Sequence, residues 1–517
     1  MAQGNNSEGN KRIAKNTIIV YIRLFSTMFI GLLSSRFVLK ALGISDYGLY
    51  NVVGGVLALF GFISGSLSAT TTRFINFEMG KKDHDTNKIF NVCNTLHVSF
   101  AILLFILAET IGIWYIRTYL NVAPGKEFDA MFVYQISTLV AIMGIINVPY
   151  SSMFIATERF GTMAIIDIGC KFLQLIWVYL LIFYHGDALR LYAICMSFTT
   201  LITFILYHIL CYRYWPETVK LRLIKDKKEY KPLLSFNNYN MLSTASIIAR
   251  GQGSNILINF FFGTAVNGAY AIANSVQSYV NQFMSSFDQA AEPQITQNLG
   301  NGDQERSEYI AMNVCKICIL LALLVIFPLL TELNFIIKLW LGTVPANTLT
   351  FCYLTLFISL FSSTSGGLAQ YITGTGKIKW FRIIYSILFL SVLPVGFILY
   401  KLHYPAYSIF ILFIASDVIY RGIQLILVHR LFHFNSGLFI RHSYIRPAII
   451  MFIMVLSWMM YKELHIITSC GHLLGLIVNI VISGLLVFFI GLNSNERRKI
   501  KGLIYNKIHK KVLFIKD

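Results

Sequence analysis

Long apolar runs recur from residue 15 to residue 492, and they dictate what this chain can fold into. About 20 consecutive apolar residues cross a hydrocarbon core as a helix, because a helix satisfies every backbone N–H and C=O internally where water is absent. Fourteen such runs are read, centred on 15–40, 47–77, 89–116, 128–156, 161–184, 188–212, 236–262, 267–295, 308–335, 347–373, 378–400, 404–430, 444–462 and 472–492. With 56% hydrophobic and 13% charged residues, the chain lacks the polar surface to clothe a soluble globule. The expected class is an all-α polytopic membrane protein. No small-residue cleavage site follows the polar start, Met1 to Asn10, so the first span is expected to direct insertion itself.

Charge tests the count, since a missed or invented span would scramble the alternation between successive loops. With the N-terminus inside, a large majority of the 43 lysines and arginines fall on the inner side, which predicts cytoplasmic ends. The net charge of +19 comes largely from the segments Arg213–Lys231 and Arg497–Lys516. Both are too short to fold as a nucleic-acid-binding domain and read as topology signals facing anionic lipid.

A repeat organises the spans. LGISDYGLY at Leu42–Tyr50 and FGTAVNGAY at Phe262–Tyr270 share a skeleton, and one ungapped shift of 220 positions carries Gly43, Gly48, Tyr50, Gly80 and Asp83 onto Gly263, Gly268, Tyr270, Gly300 and Asp303. Six spans separate the copies, and an even number preserves orientation, so the halves are parallel repeats. The expected organisation is a six-helix lobe at 1–212, a basic linker at 213–235, a second six-helix lobe at 236–430, two additional helices at 431–492 and a basic tail at 493–517. A weaker echo is that the segments starting at Ile155 and Ile372 each end a span at the inner face.

Polar residues inside spans mark candidate sites. Asn274, Ser278, Asn281, Ser285, Asp288 and Glu292 follow steps of three and four, which puts them on one helix face and predicts a water-filled cavity or an ion-coupling path. The equivalent row in the second span is Gly54, Ala58, Gly61, Gly65, Ser68 and Thr72, all small, and reads as close helix packing. An arginine at a helix centre costs about 2.5–3.5 kcal/mol on insertion, so Arg23 and Arg250 are expected to face the interior. Arg36 and Arg73 lie near span ends where they can snorkel. Asp167 with Lys171, and Asp417 with Arg421, have the i,i+4 spacing of an intrahelical salt bridge. Lys316 has no carboxylate three or four residues away and is expected to offer an exposed cation. Glu109 is expected to pair with a cation on a neighbouring helix. The balance of these charges is mildly cationic, which suits an anionic head group. A drug exporter would show unpaired carboxylates, and Asp288 and Glu292 keep that alternative open.

Eight cysteines are scattered through the apolar runs without the pattern of a disulfide framework, and Cys315 and Cys318 read as small buried hydrophobes rather than half a metal site. No cofactor or metal is expected. No glycine-rich loop ending in Gly-Lys-Ser/Thr supports nucleotide hydrolysis, which leaves the membrane potential or a proton or sodium gradient as the driving force. The outer loops are short and the eleven histidines show no catalytic spacing, against a membrane-bound glycan enzyme.

NKRIAKNT at Asn10–Thr17, LGISDYGLYNVVGG at Leu42–Gly55 and TTRFINFEMGKKD at Thr71–Asp83 resemble polysaccharide-biosynthesis flippases of the multidrug/oligosaccharidyl-lipid/polysaccharide (MOP) superfamily. The resemblance implies alternating access between two six-helix lobes. It also implies a substrate, undecaprenyl-pyrophosphate-linked oligosaccharide repeat units for O-antigen or capsule, moved from the cytoplasmic to the periplasmic leaflet. The partners it implies are that lipid-linked glycan and other polysaccharide-assembly proteins, and it implies that spans 13 and 14 help form a groove for the lipid tail. The family's basic contacts to pyrophosphate are carried as an expectation to Arg23 and Arg250, with Lys316, Lys171, Arg36 and Arg73 as further cations. The alternative reading is a cation-coupled multidrug exporter of the same superfamily.

Overall fold

The computed structural model describes residues 2–58, 61–119, 125–342, 344–463, 471–494 and 496–498. The predicted break at Asn121–Pro124, Cys470 and the basic tail beyond Arg498 lie outside the described residues. Helices follow one another as α1 (Ala2–Ala58), α2 (Gly61–Gly80), α3 (Thr86–Leu107, continued through a wide turn at Ala108–Gly112 to Tyr119), α4 (Glu127–Ala156), α5 (Phe160–Leu181), α6 (Ala188–Tyr214) and α7 (Tyr230–Gly300). Then come α8 (Gln304–Thr331), α9 (Leu333–Leu341), α10 (Thr348–Ser363), α11 (Gly366–Thr375), α12 (Lys379–Lys401), α13 (Ser408–Phe432), α14 (Ser436–Ser443), α15 (Ile445–Glu463) and α16 (Gly471–Leu486).

By length and apolarity, ten helical segments among the described residues are able to cross a membrane, or eleven when α10 and α11, bent by 49°, count as one span. The expected fourteen are not reached. The three expected spans outside that set, 47–77, 236–262 and 267–295, are helical wherever described, but they carry the small and polar residues noted above, which dilute their apolarity.

α1 and α7 are long helical runs that each break at one residue: Gly43 at φ 73°, ψ 174°, and Gly263 at φ 78°, ψ −178°. A positive φ with extended ψ is open only to glycine, so the first matched pair of the repeat is conserved in conformation as well as in sequence. Crowding is not the reason, since a Cβ at either position would meet nothing within 4 Å. Gly43→Ala and Gly263→Ala are each expected to cost of order 1–3 kcal/mol. Gly43→Asn is expected to be no milder, because the extended ψ lies outside the left-handed helical region that asparagine tolerates. Thermal unfolding midpoints in detergent check both. The last matched pair diverges: Asp303 accepts from the Arg306 N–H at 3.0 Å to start α8, whereas Asp85, not Asp83, caps α3 through the Lys88 N–H at 3.0 Å.

The chain divides into two compact units, one comprising Met1–Ala249, Gln289–Ser307 and Gln370–Ser386, the other Arg250–Asp288, Glu308–Ala369 and Ile387–Asp517. In unit 1, α1 packs along α5, and α4 along α6. Phe90, Phe154 and Phe160 are fully buried there, with the Phe154 ring edge-on to Tyr207 and Trp215 at 5.3 and 5.1 Å. Burying each such ring is worth about 1.5–3 kcal/mol. His97, also fully buried, donates through Nδ1 to the Ile145 carbonyl and shares a hydrogen bond between Nε2 and Thr71 Oγ1, both at 2.8 Å, and so cross-ties α2, α3 and α4. At the opposite end from the basic loops, Lys126 bridges Asp46 and Asp129 at 3.0 and 3.2 Å, and Arg190 bridges Asp129 and Asp187. Asp46 of the repeated turn is thereby tied to two later loops, and its hydrogen bond raises the Lys126 ammonium pKa above the ordinary lysine value.

Unit 2 has its own aromatic core around Phe351, Phe410 and Tyr400, where α10 packs on α13. The bend between α10 and α11 frees the Thr364 carbonyl, which accepts from Cys315 Sγ at 3.1 Å and Tyr444 Oη at 2.9 Å. Both units leave large apolar side chains outside, such as Phe25, Ile165 and Phe183 in unit 1 and Phe260, Ile387 and Phe452 in unit 2. Apolar exteriors of this extent are solvated by lipid tails.

Candidate functional site

In unit 1 the charges on α1 and α5 meet. Arg23 donates through Nη1 to Asp167 Oδ2 at 3.3 Å and through Nη2 to Gln289 Oε1 at 2.8 Å, while Tyr207 Oη donates to Asp167 Oδ1 at 3.4 Å. The anticipated intrahelical pair of Asp167 with Lys171 does not form, because the guanidinium reaches the carboxylate from the neighbouring helix. Lys171 is exposed and donates instead to Gln174 Oε1 at 3.0 Å. Arg36 is exposed on α1.

Arg73 does not snorkel. It is 6% exposed, lies over the rings of Phe74 and Phe77 at 4.6 and 4.5 Å, and donates through Nε and Nη2 to the Gly374 carbonyl. Cation–π contact and a charge-assisted hydrogen bond make burial affordable where a span-end position alone pointed outward.

In unit 2, Arg250 lies 3.7 Å from the Phe389 ring centroid and 4.5 Å from that of Phe413, a double cation–π contact. Its Nη1 is buried without a hydrogen-bond partner among the described residues, as are Asp417 Oδ2 and Arg421 Nε. The anticipated Asp417–Arg421 pair therefore leaves polar atoms unsatisfied, and Arg421 donates to Gln424 Oε1 at 2.9 Å instead. Buried polar atoms that the protein leaves open are filled by water or ligand.

Lys316 is the clearest correction. Rather than an exposed cation it is 0% exposed, and its Nζ donates to both Glu496 oxygens at 2.6 and 2.8 Å. At the far end of α8, Glu332 meets His472 Nδ1 at 2.7 Å, and Asn479 Nδ2 donates to Thr331 Oγ1 at 3.1 Å. α16 is thus tied to the end of α8 through His472 and Asn479, and the chain beyond it to Lys316 of α8. Glu109 also differs from expectation, accepting from Gln135 at 3.3 Å rather than from a cation.

Along α7, Ser278, Asn281 and Ser285 are exposed while Asn274, Asp288 and Glu292 are half-buried, so the row is open in its middle and packed towards Asp288. Asp288 Oδ1 accepts from the Cys318 thiol at 3.2 Å. Cys315 and Cys318 are buried as expected but act as hydrogen-bond donors at the α10–α11 bend, a role that hydrophobicity alone did not reveal. The small row on α2 is not a tight seam throughout. A Cβ on Gly65 would meet nothing within 4 Å, Thr72 bonds Ser152 Oγ at 3.1 Å, and the side chains from Gly54 to Phe62 lie outside the described residues. Deeper on that helix, Ser66 donates to the Asn237 side chain at 2.9 Å, a buried polar contact missed in the sequence.

Unit 2 also holds an apolar cleft of about 230 Å³, lined among others by Ile319 and Leu323 of α8, Phe357 and Phe361 of α10 and Pro447 and Met451 of α15. Chemically, Arg23 is neutralised by Asp167, whereas Arg250, which feels the charge of Asp417, keeps an Nη1 with no hydrogen-bond partner among the described residues. Gln289, Gln297, Gly374 and Glu496 escaped sequence reasoning. Gly374 lies in the span ending that begins at Ile372, and Gln297 is the repeat equivalent of Phe77.

Residues 13–299 match the family described as "Polysaccharide biosynthesis protein". No curated protein matches the chain by sequence. Among solved structures, a MOP superfamily transporter from Pyrococcus furiosus, described as having a binding pocket of reverse polarity, superposes with a TM-score of 0.67 at 12% identity, covering 80% of this chain and 94% of its own. A MATE protein in its bent conformation gives 0.69 at 12% identity, covering 84% and 97%. A MATE transporter from Vibrio cholerae gives 0.62 at 16% identity, covering 82% and 97%. The fold is that of MOP superfamily transporters, and with the family match spanning more than half of its length, the chain belongs to the polysaccharide biosynthesis protein family.

Proposed function

We propose that this protein is an alternating-access flippase that moves undecaprenyl-pyrophosphate-linked oligosaccharide repeat units from the cytoplasmic to the periplasmic leaflet of a bacterial inner membrane, for O-antigen or capsule assembly. The observation that carries the reading is the family match over residues 13–299, on a transporter fold. Two features of unit 2 support a substrate with an anionic head and an apolar tail. Arg250 holds an open N–H for a phosphate oxygen, and the cleft lined by α8, α10 and α15 offers apolar walls to a polyprenyl chain. With the cytoplasm negative, an outward-moving anion gains about 2.3 kcal/mol per charge per 100 mV if it crosses the full potential.

Arg250→Ala is expected to lower surface-glycan export at least tenfold, in keeping with the loss of about 1.4 kcal/mol or more at a charged contact, while the protein still inserts. Normal export would remove Arg250 from the site. A deletion strain is expected to accumulate lipid-linked repeat units on the cytoplasmic side and lose its surface polysaccharide, with rescue by the wild-type gene. The second reading, multidrug export, takes its support from Asp288, a carboxylate on the polar row of α7. It requires the deletion strain to retain cationic dyes while keeping its glycan.

A further inference from the structure

The repeat and the partners of Arg73 and Gln297 meet at the end of unit 1 that carries the basic loops. There α2 and the last part of α7 cross backbone to backbone: a Cβ on Gly80 would overlap the Gln297 carbonyl oxygen, and a Cβ on Gly300 would overlap that of Phe77 and stand 3.2 Å from Gly80 Cα. Gly80 and Gly300 are equivalents in the 220-residue repeat, and so are Phe77 and Gln297. The crossing is one contact made twice, in exchange.

Two hydrogen bonds flank the crossing, one from each helix, although their donors are not repeat equivalents. Arg73 of α2 donates to the Gly374 carbonyl at the end of α11 through Nε at 3.2 Å and Nη2 at 3.0 Å. Gln297 of α7 donates to the Ala156 carbonyl at the end of α4 at 2.6 Å. Ala156 and Gly374 lie in the two span endings that echo each other in sequence. Glycines keep the space clear, since a Cβ on Gly376 would stand 2.6 Å from Arg73 Nη2 and one on Gly374 2.8 Å from Leu299 Cδ1.

Both accepting carbonyls belong to the last turns of their helices, where no intrahelical N–H is available. Water satisfies such carbonyls as readily as a side chain does, and parting the contacts leaves Arg73 and Gln297 as the two donors that need new partners. The glycine crossing interlocks no side chains that would have to be pulled apart.

We propose that this exchanged clasp is a closed gate at the basic-loop end, latched by Arg73 and Gln297, and that it parts and re-forms in each transport cycle. The proposal rests on the transport reading above. The test places Asn76→Cys with Gln297→Cys, whose native side chains approach to 3.4 Å, in a variant with the native cysteines replaced. Oxidation is expected to form the disulfide and to cut translocation of a labelled polyprenyl-pyrophosphate glycan in proteoliposomes about tenfold, with recovery on reduction. A disulfide that fails to form, or a cross-linked protein that transports at the reduced rate, overturns the gate. A second readout needs no substrate and so separates failure of the gate from failure of the substrate assignment. With Asn76→Cys as the sole thiol, its labelling by an impermeant maleimide from the basic-loop side is expected to accelerate about tenfold when Arg73→Ala is added. Unchanged labelling means a fixed joint.

Discussion

Glu496→Ala is expected to cost about 3–5 kcal/mol of stability, the usual penalty for stranding one partner of a buried ion pair. Lys316 has no exposure to draw on, and Glu496 supplies both oxygens that its ammonium touches. Glu496 also accepts from the Asn493 N–H at 2.6 Å, so its loss frees the chain just beyond α16. The double replacement Lys316→Met with Glu496→Leu is expected to recover most of the loss, because apolar side chains of similar volume replace a buried pair at little net cost. Unfolding midpoints of the purified protein in detergent measure both. Equal midpoints for the single variant and the wild type would mean that the pair does not hold the chain beyond α16 to α8.

Gly80→Ala and Gly300→Ala are the second pair of large effects. Each added methyl would occupy the position of a backbone carbonyl oxygen, which has no rotamer by which to yield, so the helices themselves must part. Overpacking of this kind costs about 1–3 kcal/mol or more. Gly31→Ala and Gly65→Ala serve as controls: both positions are helical and open, and alanine there is expected to be neutral or to stabilise by about 0.5–1 kcal/mol. Similar destabilisation at all four positions would show that helix composition, rather than the crossing, governs the result.

The sequence revealed the features that obey a local or periodic rule. The apolar runs announce helices in lipid, and the 220-residue offset found Gly43 with Gly263 and Gly80 with Gly300 before either the shared backbone angles or the crossing was visible. Features set by long-range partners were not readable. Lys316 appeared exposed because its carboxylate lies 180 positions away. Arg73 appeared free to snorkel because Gly374 is 301 positions away. The i,i+4 rule misplaced Asp167 because an arginine on another helix offers a better-placed cation than the lysine on its own. The stretches 47–77, 236–262 and 267–295, read as spans, are helical wherever described but too dilute in apolar residues to pass as membrane spans by length and apolarity, and the residues responsible include the polar row of α7.

The most direct measurement is leaflet exchange by the purified protein. Proteoliposomes are prepared with a fluorescent undecaprenyl-pyrophosphate oligosaccharide in one leaflet, and its appearance in the other is followed with and without an imposed membrane potential. The account predicts translocation that requires the protein, quickens when the potential drives the anion across, and falls with Arg250→Ala. Translocation no faster than in protein-free liposomes, together with uptake of a cationic dye by the same vesicles, would contradict it.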